Sequence, residues 1–78
     1  MGVQLQQLAY FVAVAKVRHF TQAAEILGVA QPTLSKQVRV LEDELGTPLF
    51  DRTRHGIDLT QAGELLLPYA QRILTDSE

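Results

Sequence analysis

The sequence predicts a mainly α fold, with three helices, a two-stranded hairpin and a long fourth helix, and three observations carry that reading. Apolar residues recur every three or four positions through most of the 78 residues. Gly28, Gly46 and Pro48 punctuate those periodic stretches at helix-length intervals. The period shortens once, between Leu49 and Leu59, around a glycine.

Leu5, Leu8, Phe11, Val12 and Ala15 form one face of a first helix spanning about Gln4 to Val17. Thr21 is the expected N-cap of a second, short helix through Ala23, Ala24 and Leu27, stopped by Gly28. The small alanines let another helix approach closely, and Gly28-Val29-Ala30 is a connection of helix-turn-helix length. A third helix starts at Gln31 or Pro32, where a missing N–H costs nothing, and runs to about Leu45 before Gly46. Its buried stripe is Leu34, Val38, Leu41 and Leu45; the opposite arc holds Pro32, Lys36, Arg39 and Asp43, flanked by Thr33 and Ser35. Leu49 to Arg52 and Ile57 to Leu59 then read as hairpin strands flanking Thr53-Arg54-His55-Gly56. Thr60 caps a fourth helix from Gln61 onward, with Ala62, Leu66, Tyr69 and Ile73 on one stripe, Leu65, Leu67 and Leu74 widening it, and Pro68 bending it. The expected architecture is a winged helix-turn-helix over residues 1–60 and a linker or dimerisation helix over 61–78.

A chain this short buries only roughly 60% of its unfolded surface, and with no cysteine it has neither disulfides nor thiolate metal sites. Oligomerisation is the natural supplement. His19 and His55 lack partners at zinc spacing, so no metal or cofactor is expected. The most apolar stretch, Leu8 to Ala15, is too short for a bilayer, which needs ~20 residues, and no leader pattern opens the chain; the cytoplasm is the expected compartment.

The formal net charge of −2 argues against a nucleic-acid binder until its distribution is considered. Residues 30–41 contain Lys36 and Arg39 and no acid, and Glu42, Asp43 and Glu44 follow at once. Further cationic clusters are Arg52, Arg54 and His55 in the hairpin, and Lys16, Arg18 and His19, which read as solvated surface. A helix face of Gln, Thr, Ser, Lys and Arg has the donors and acceptors that read base edges in a DNA major groove.

The run from Ala30 to Arg52, A-Q-P-T-L-S-K-Q-V-R-V-L-E-D-E-L-G-T-P-L-F-D-R, resembles the N-terminal domain of LysR-type transcriptional regulators. It matches their pattern S-Q-P-x-[LV]-S-[RK]-x-[IV]-x-x-L-E-x-x-L-G-x-x-L-F-x-R at nearly every fixed position. The resemblance extends to Leu5-x-x-Leu8-x-x-Phe11 and Phe20-Thr21-x-Ala23-Ala24-x-x-Leu27 before it. After it come Leu59-Thr60-x-Ala62-Gly63 and Pro68-Tyr69-Ala70. The main departure is Ala30, where a capping serine is usual; its absence costs ~1 kcal/mol of local stability.

This resemblance implies a dimeric, sequence-specific binder of double-stranded DNA at a pseudo-palindromic operator. Gln31 either pairs with adenine or takes a phosphate at the helix start. Thr33 and Ser35 touch bases or phosphate, or else satisfy local backbone groups. Lys36, facing away from the core, takes a phosphate or guanine, and Arg39 contacts the DNA backbone or pairs with Asp43. The wing residues Arg54 and His55 approach the minor groove. Arg52 holds the wing base or a phosphate, and Thr21 is primarily a cap with a possible phosphate contact. Leu65, Leu66, Tyr69 and Ile73 are the expected homodimer surface, with higher oligomers possible in a longer protein that carries a C-terminal effector domain. The alternative from another class is a winged-helix protein-interaction module, which the negative charge favours. An enzyme is disfavoured: there is no cysteine nucleophile, and nothing pairs a serine with a histidine and a carboxylate.

Overall fold

A computed structural model describes residues 2–76; the last two residues of the expected 61–78 segment lie outside it. The elements in chain order are α1 (Leu5–Val17), α2 (Phe20–Leu27), α3 (Gln31–Leu45), β1 (Phe50–Thr53), β2 (Gly56–Leu59) and α4 (Gln61–Asp76). This is the expected winged helix-turn-helix with a long fourth helix.

α1 is the central helix and packs against α2, α3 and α4. It therefore buries more than one stripe: Leu8, Tyr10, Phe11, Val12, Val14 and Ala15 are all in the core. Its one buried polar side chain, Gln7, is satisfied on both sides. The Oε1 accepts from the Gln4 amide at 3.0 Å, and the Nε2 donates to Gln37 Oε1 on α3 at 3.4 Å. Leu5, expected on the inner stripe, is exposed, whereas Gln7 and Leu8 in the same first turn are buried.

The α2–α3 unit follows from small residues and αL glycines. Ala23 and Ala24 are buried against α1 and α3, and their size lets the helices close on one another. Gly28 at φ 72° ends α2, and the Val29 amide reaches back to Ala24 O at 3.0 Å. Gly46, also at φ 72°, closes α3 in the same way, with Thr47 N bonded to Glu42 O at 3.2 Å. The cap of α2 corrects the sequence reading. Thr21 lies inside the helix, and His19 caps it by accepting from the Gln22 amide on Nδ1 at 3.1 Å. Starting the helix at Phe20 lets that ring enter the core. Arg18 is likewise more than solvated surface. It sits in the left-handed region at φ 55° as the C-cap of α1, and its Nε donates to Ala15 O at 2.8 Å.

The strands pair antiparallel from Phe50↔Leu59 to Thr53↔Gly56, leaving a two-residue turn at Arg54-His55. Thr60 Oγ1 accepts from the Gly63 amide at 3.1 Å, the expected cap of α4, and donates to Pro48 O at 2.7 Å. The Thr60 amide bonds Leu49 O at 3.0 Å, so the first turn of α4 sits directly on the segment entering β1. Leu49 is buried there, and Gly63 faces it so closely that an added Cβ would overlap the Leu49 carbonyl oxygen. α4 runs on through the exposed Pro68, with Gly63 and Ala70 buried and Leu66, Leu67 and Leu74 half-buried on the core. Leu45, expected on the inner stripe of α3, is exposed in its last turn.

Gly63→Ala gains helix propensity of ~1 kcal/mol, yet the overlapping atom belongs to a backbone that cannot rotate away. The substitution should therefore lower unfolding free energy by about 1–3 kcal/mol in urea denaturation. A raised midpoint would show that α4 does not approach the wing this closely.

Candidate nucleic-acid interface

The core stripe of α3, Leu34, Val38 and Leu41, fixes which side of the helix faces outward. Pro32, Thr33, Lys36 and Arg39 are exposed on that side, with Gln31 and Ser35 partly covered. The two partly covered residues hold one another: Gln31 Nε2 donates to Ser35 Oγ at 3.0 Å across one helical turn. No side chain caps the helix at Ala30, so the first amides of α3 are left to outside acceptors. Asp43 forms no ion pair with Arg39 among the described residues, which leaves the guanidinium unneutralised.

The hairpin contributes the second part of the surface. Alternation along β1 puts Phe50 and Arg52 on one face. Phe50 turns into the core against Phe11 and Phe20, with ring centroids at 5.4 and 6.0 Å. Arg52 then lies over the Phe20 ring, its guanidinium carbon 4.4 Å from the centroid. A cleft between α3 and β1 is lined by Phe20, Ser35, Val38, Arg39, Glu42, Phe50 and Arg52, so three expected site residues meet in one place. Arg54 and His55 project at the exposed turn. Thr53 Oγ1 shapes that turn by accepting from the His55 amide and donating to Gly56 O, both at 3.2 Å, while Gly56 takes φ 130°, open only to glycine. Thr21 is exposed in the first turn of α2, beside Phe20.

Sequence reasoning missed what joins helix to wing. Glu42 Oε2 accepts the amides of Leu49 at 2.7 Å and Phe50 at 3.2 Å. The acidic run 42–44 reads as a charge boundary, yet its first member is a structural acceptor for the strand that carries Arg52. On the other side of the wing, Arg18 reaches Asp58 of β2 at 3.5 Å. Both side chains are largely exposed, so this pair adds little to stability.

Of the expected pairing residues on α4, Leu65, Tyr69 and Ile73 form an exposed stripe at four-residue spacing. Leu66 departs from the expectation. It is half-buried on the chain's own core, because the face through Gly63, Ala70 and Leu74 is the one that packs inward.

The family model described as bacterial regulatory helix-turn-helix protein, lysR family, matches residues 5–64. The HTH-type transcriptional regulator BudR of Klebsiella aerogenes is 53% identical over 76 residues, covering 97% of this chain and 53% of that protein. The dual regulator OxyR of Escherichia coli K12 is 47% identical over 74 residues, covering 95% of this chain and 24% of that protein. The chain thus spans about half or less of the length of these relatives. Among solved structures, the CbnR DBD–DNA complex superposes with a TM-score of 0.91 at 41% identity, covering 96% of this chain and 86% of that one. The BenM DBD complex with catB site 1 DNA gives 0.92 at 40%, covering 96% and 84%.

Glu42→Ala leaves the buried Leu49 amide without its acceptor and should cost about 2–3 kcal/mol in chemical denaturation. Glu42→Gln retains an acceptor oxygen and should cost roughly half as much. An alanine variant as stable as the parent would mean that the carboxylate does not hold the strand.

Proposed function

The chain belongs to the lysR family of bacterial regulatory helix-turn-helix proteins, and from that premise we propose that it binds double-stranded DNA sequence-specifically, as a dimer, in transcriptional regulation. The observation that carries this reading is the outer side of α3, where amide, hydroxyl and cationic groups lie together and no acid intervenes before Glu42. The likeness to two DNA-bound domains over nearly the whole chain supports it.

In this reading α3 enters the major groove. Gln31 and Ser35, already hydrogen-bonded to each other, present a preset pair of polar groups to base edges, with Pro32 and Thr33 beside them. Lys36 and Arg39 take phosphates, as does Arg52, and Thr21 contributes from the start of α2. Arg54 and His55 at the wing tip approach the minor groove, where a narrow A-tract favours cations. Residues 1–60 read DNA, and 61–78 pair two copies. The exposed stripe Leu65, Tyr69 and Ile73 supplies the pairing surface, which sets two recognition helices ~34–36 Å apart on a pseudo-palindromic site. The rival reading, a protein-interaction module, loses its main support because the outer side of α3 from Gln31 to Arg39 carries two cations and no acid despite the net charge of −2. No helix of the described residues is long and apolar enough to cross a membrane, and the proposed place of action is the cytoplasm, with the DNA.

A duplex selected from a random pool tests the reading in a titration over salt. Lys36→Ala should weaken binding and reduce the slope of log K against log salt by ~1; an unchanged slope would remove its phosphate role. Gln31→Ala should lose more affinity on the selected duplex than on a scrambled one, and equal losses would remove its base-reading role.

The pairing surface is tested by Leu65→Lys with Tyr69→Lys in sedimentation. Both positions are 64% exposed, so the fold should survive while the dimer dissociates. A double variant that remains dimeric would place the interface elsewhere.

A further inference from the structure

The contact between Phe20 and Arg52 joins residues 32 positions apart on different elements. The ring is 7% exposed and braced edge-on by Phe50, with its centroid 6.0 Å away and the planes at 73°. It is therefore a fixed platform. The guanidinium above it, 4.4 Å from the centroid, has no hydrogen-bond or ion-pair partner among the described residues. Its donors are unspent, and stacking restricts the rotamers that a free arginine would sample. The wall opposite carries Ser35 and Arg39. Glu42 lies in the same cleft, but its Oε2 already receives two backbone amides, and two guanidinium groups against one carboxylate leave the cleft cationic.

We propose that Phe20 is a positioning residue for DNA binding: its ring holds Arg52 at the mouth of the α3–β1 cleft, so that one DNA phosphate is taken between Arg52 and Arg39. This inference rests on the DNA-binding reading above. An arginine fork suits a phosphate because two parallel N–H donors meet two oxygens. Holding it flat before the DNA arrives lowers the ordering cost of binding. Phe20 itself touches no DNA and acts through Arg52.

The test is a double-mutant cycle on the duplex that the unaltered protein selects from a random pool, titrated across salt. Phe20→Leu keeps an apolar filler and removes the ring; it should weaken binding roughly three- to tenfold. Arg52→Ala should weaken binding and reduce the salt slope by ~1. The double variant should bind no worse than Arg52→Ala, since without the guanidinium the platform has nothing to hold. Arg52→Lys, an exposed change that leaves the core untouched, should keep the parental salt slope and still lose affinity, because an ammonium has no planar fork to stack. The same fold loss from Phe20→Leu with and without Arg52 would overturn the proposal, and so would an Arg52→Lys protein that binds like the parent. If Phe20→Leu does not fold, the Arg52→Lys result decides. If the unaltered protein selects no duplex at all, the DNA-binding reading fails and this inference with it.

Discussion

One carboxylate holds the two halves of the proposed binding surface together. Glu42 reaches from the last turn of α3 to the amides of Leu49 and Phe50, the residues at which the chain enters the wing. Its position follows from the core: Leu34, Val38 and Leu41 set the rotation of α3, and Gly46 in αL turns the chain back so that Leu49 and Phe50, seven and eight residues beyond Glu42, meet its side chain. Phe50, thus located, fills the space beside Phe11 and Phe20. Two residues later on the same strand face, Arg52 falls over Phe20. The proposed recognition helix and the wing are thereby joined through Glu42 and the Phe20–Arg52 contact.

The same residue resolves an apparent conflict between composition and function. Three consecutive acids at a helix C-terminus oppose the macrodipole, and no base offsets them in the last turn. A surface optimised for helix stability alone would not place them there. Glu42 instead accepts two backbone amides at the entry to the wing. Asp43 and Glu44 are exposed beyond the proposed contact surface. Net charge sums over both regions and so understates the cationic character of residues 31–39, which carry Lys36 and Arg39 and no acid. Phosphate attraction depends on local charge within about a Debye length, ~8–10 Å at ordinary salt.

Much of the fold was legible because its signals are local. Gly28 and Gly46 end helices in αL, Thr60 caps α4, and the shift to a two-residue period marks the wing; each depends on residues within a few positions. Helix ends were less legible. Thr21 has better capping chemistry than His19, but burial of Phe20 decided the boundary and left the imidazole to accept the Gln22 amide. Leu5 and Leu45 continue apolar stripes in the sequence yet stand exposed at the two helix ends, which periodicity alone does not reveal. On α4, periodicity revealed a wide apolar arc without dividing it. Only the packed fold assigns Leu66 inward and leaves Leu65 and Tyr69 outside. The candidate site divides similarly. The outer residues of α3 follow from the helical period, whereas the Glu42 bonds, the Arg18–Asp58 pair and the Arg52–Phe20 contact require chain reversals that no local pattern encodes.

The central claim, that helix and wing move as one body because Glu42 holds the strand, is tested most directly by amide hydrogen exchange in the free protein. The Leu49 and Phe50 amides should exchange about as slowly as the buried amides of Val38 and Leu41 in α3, because opening them requires the wing to leave the core. Exchange at the rate of the exposed hairpin turn would contradict the account and leave the wing a separately mobile element.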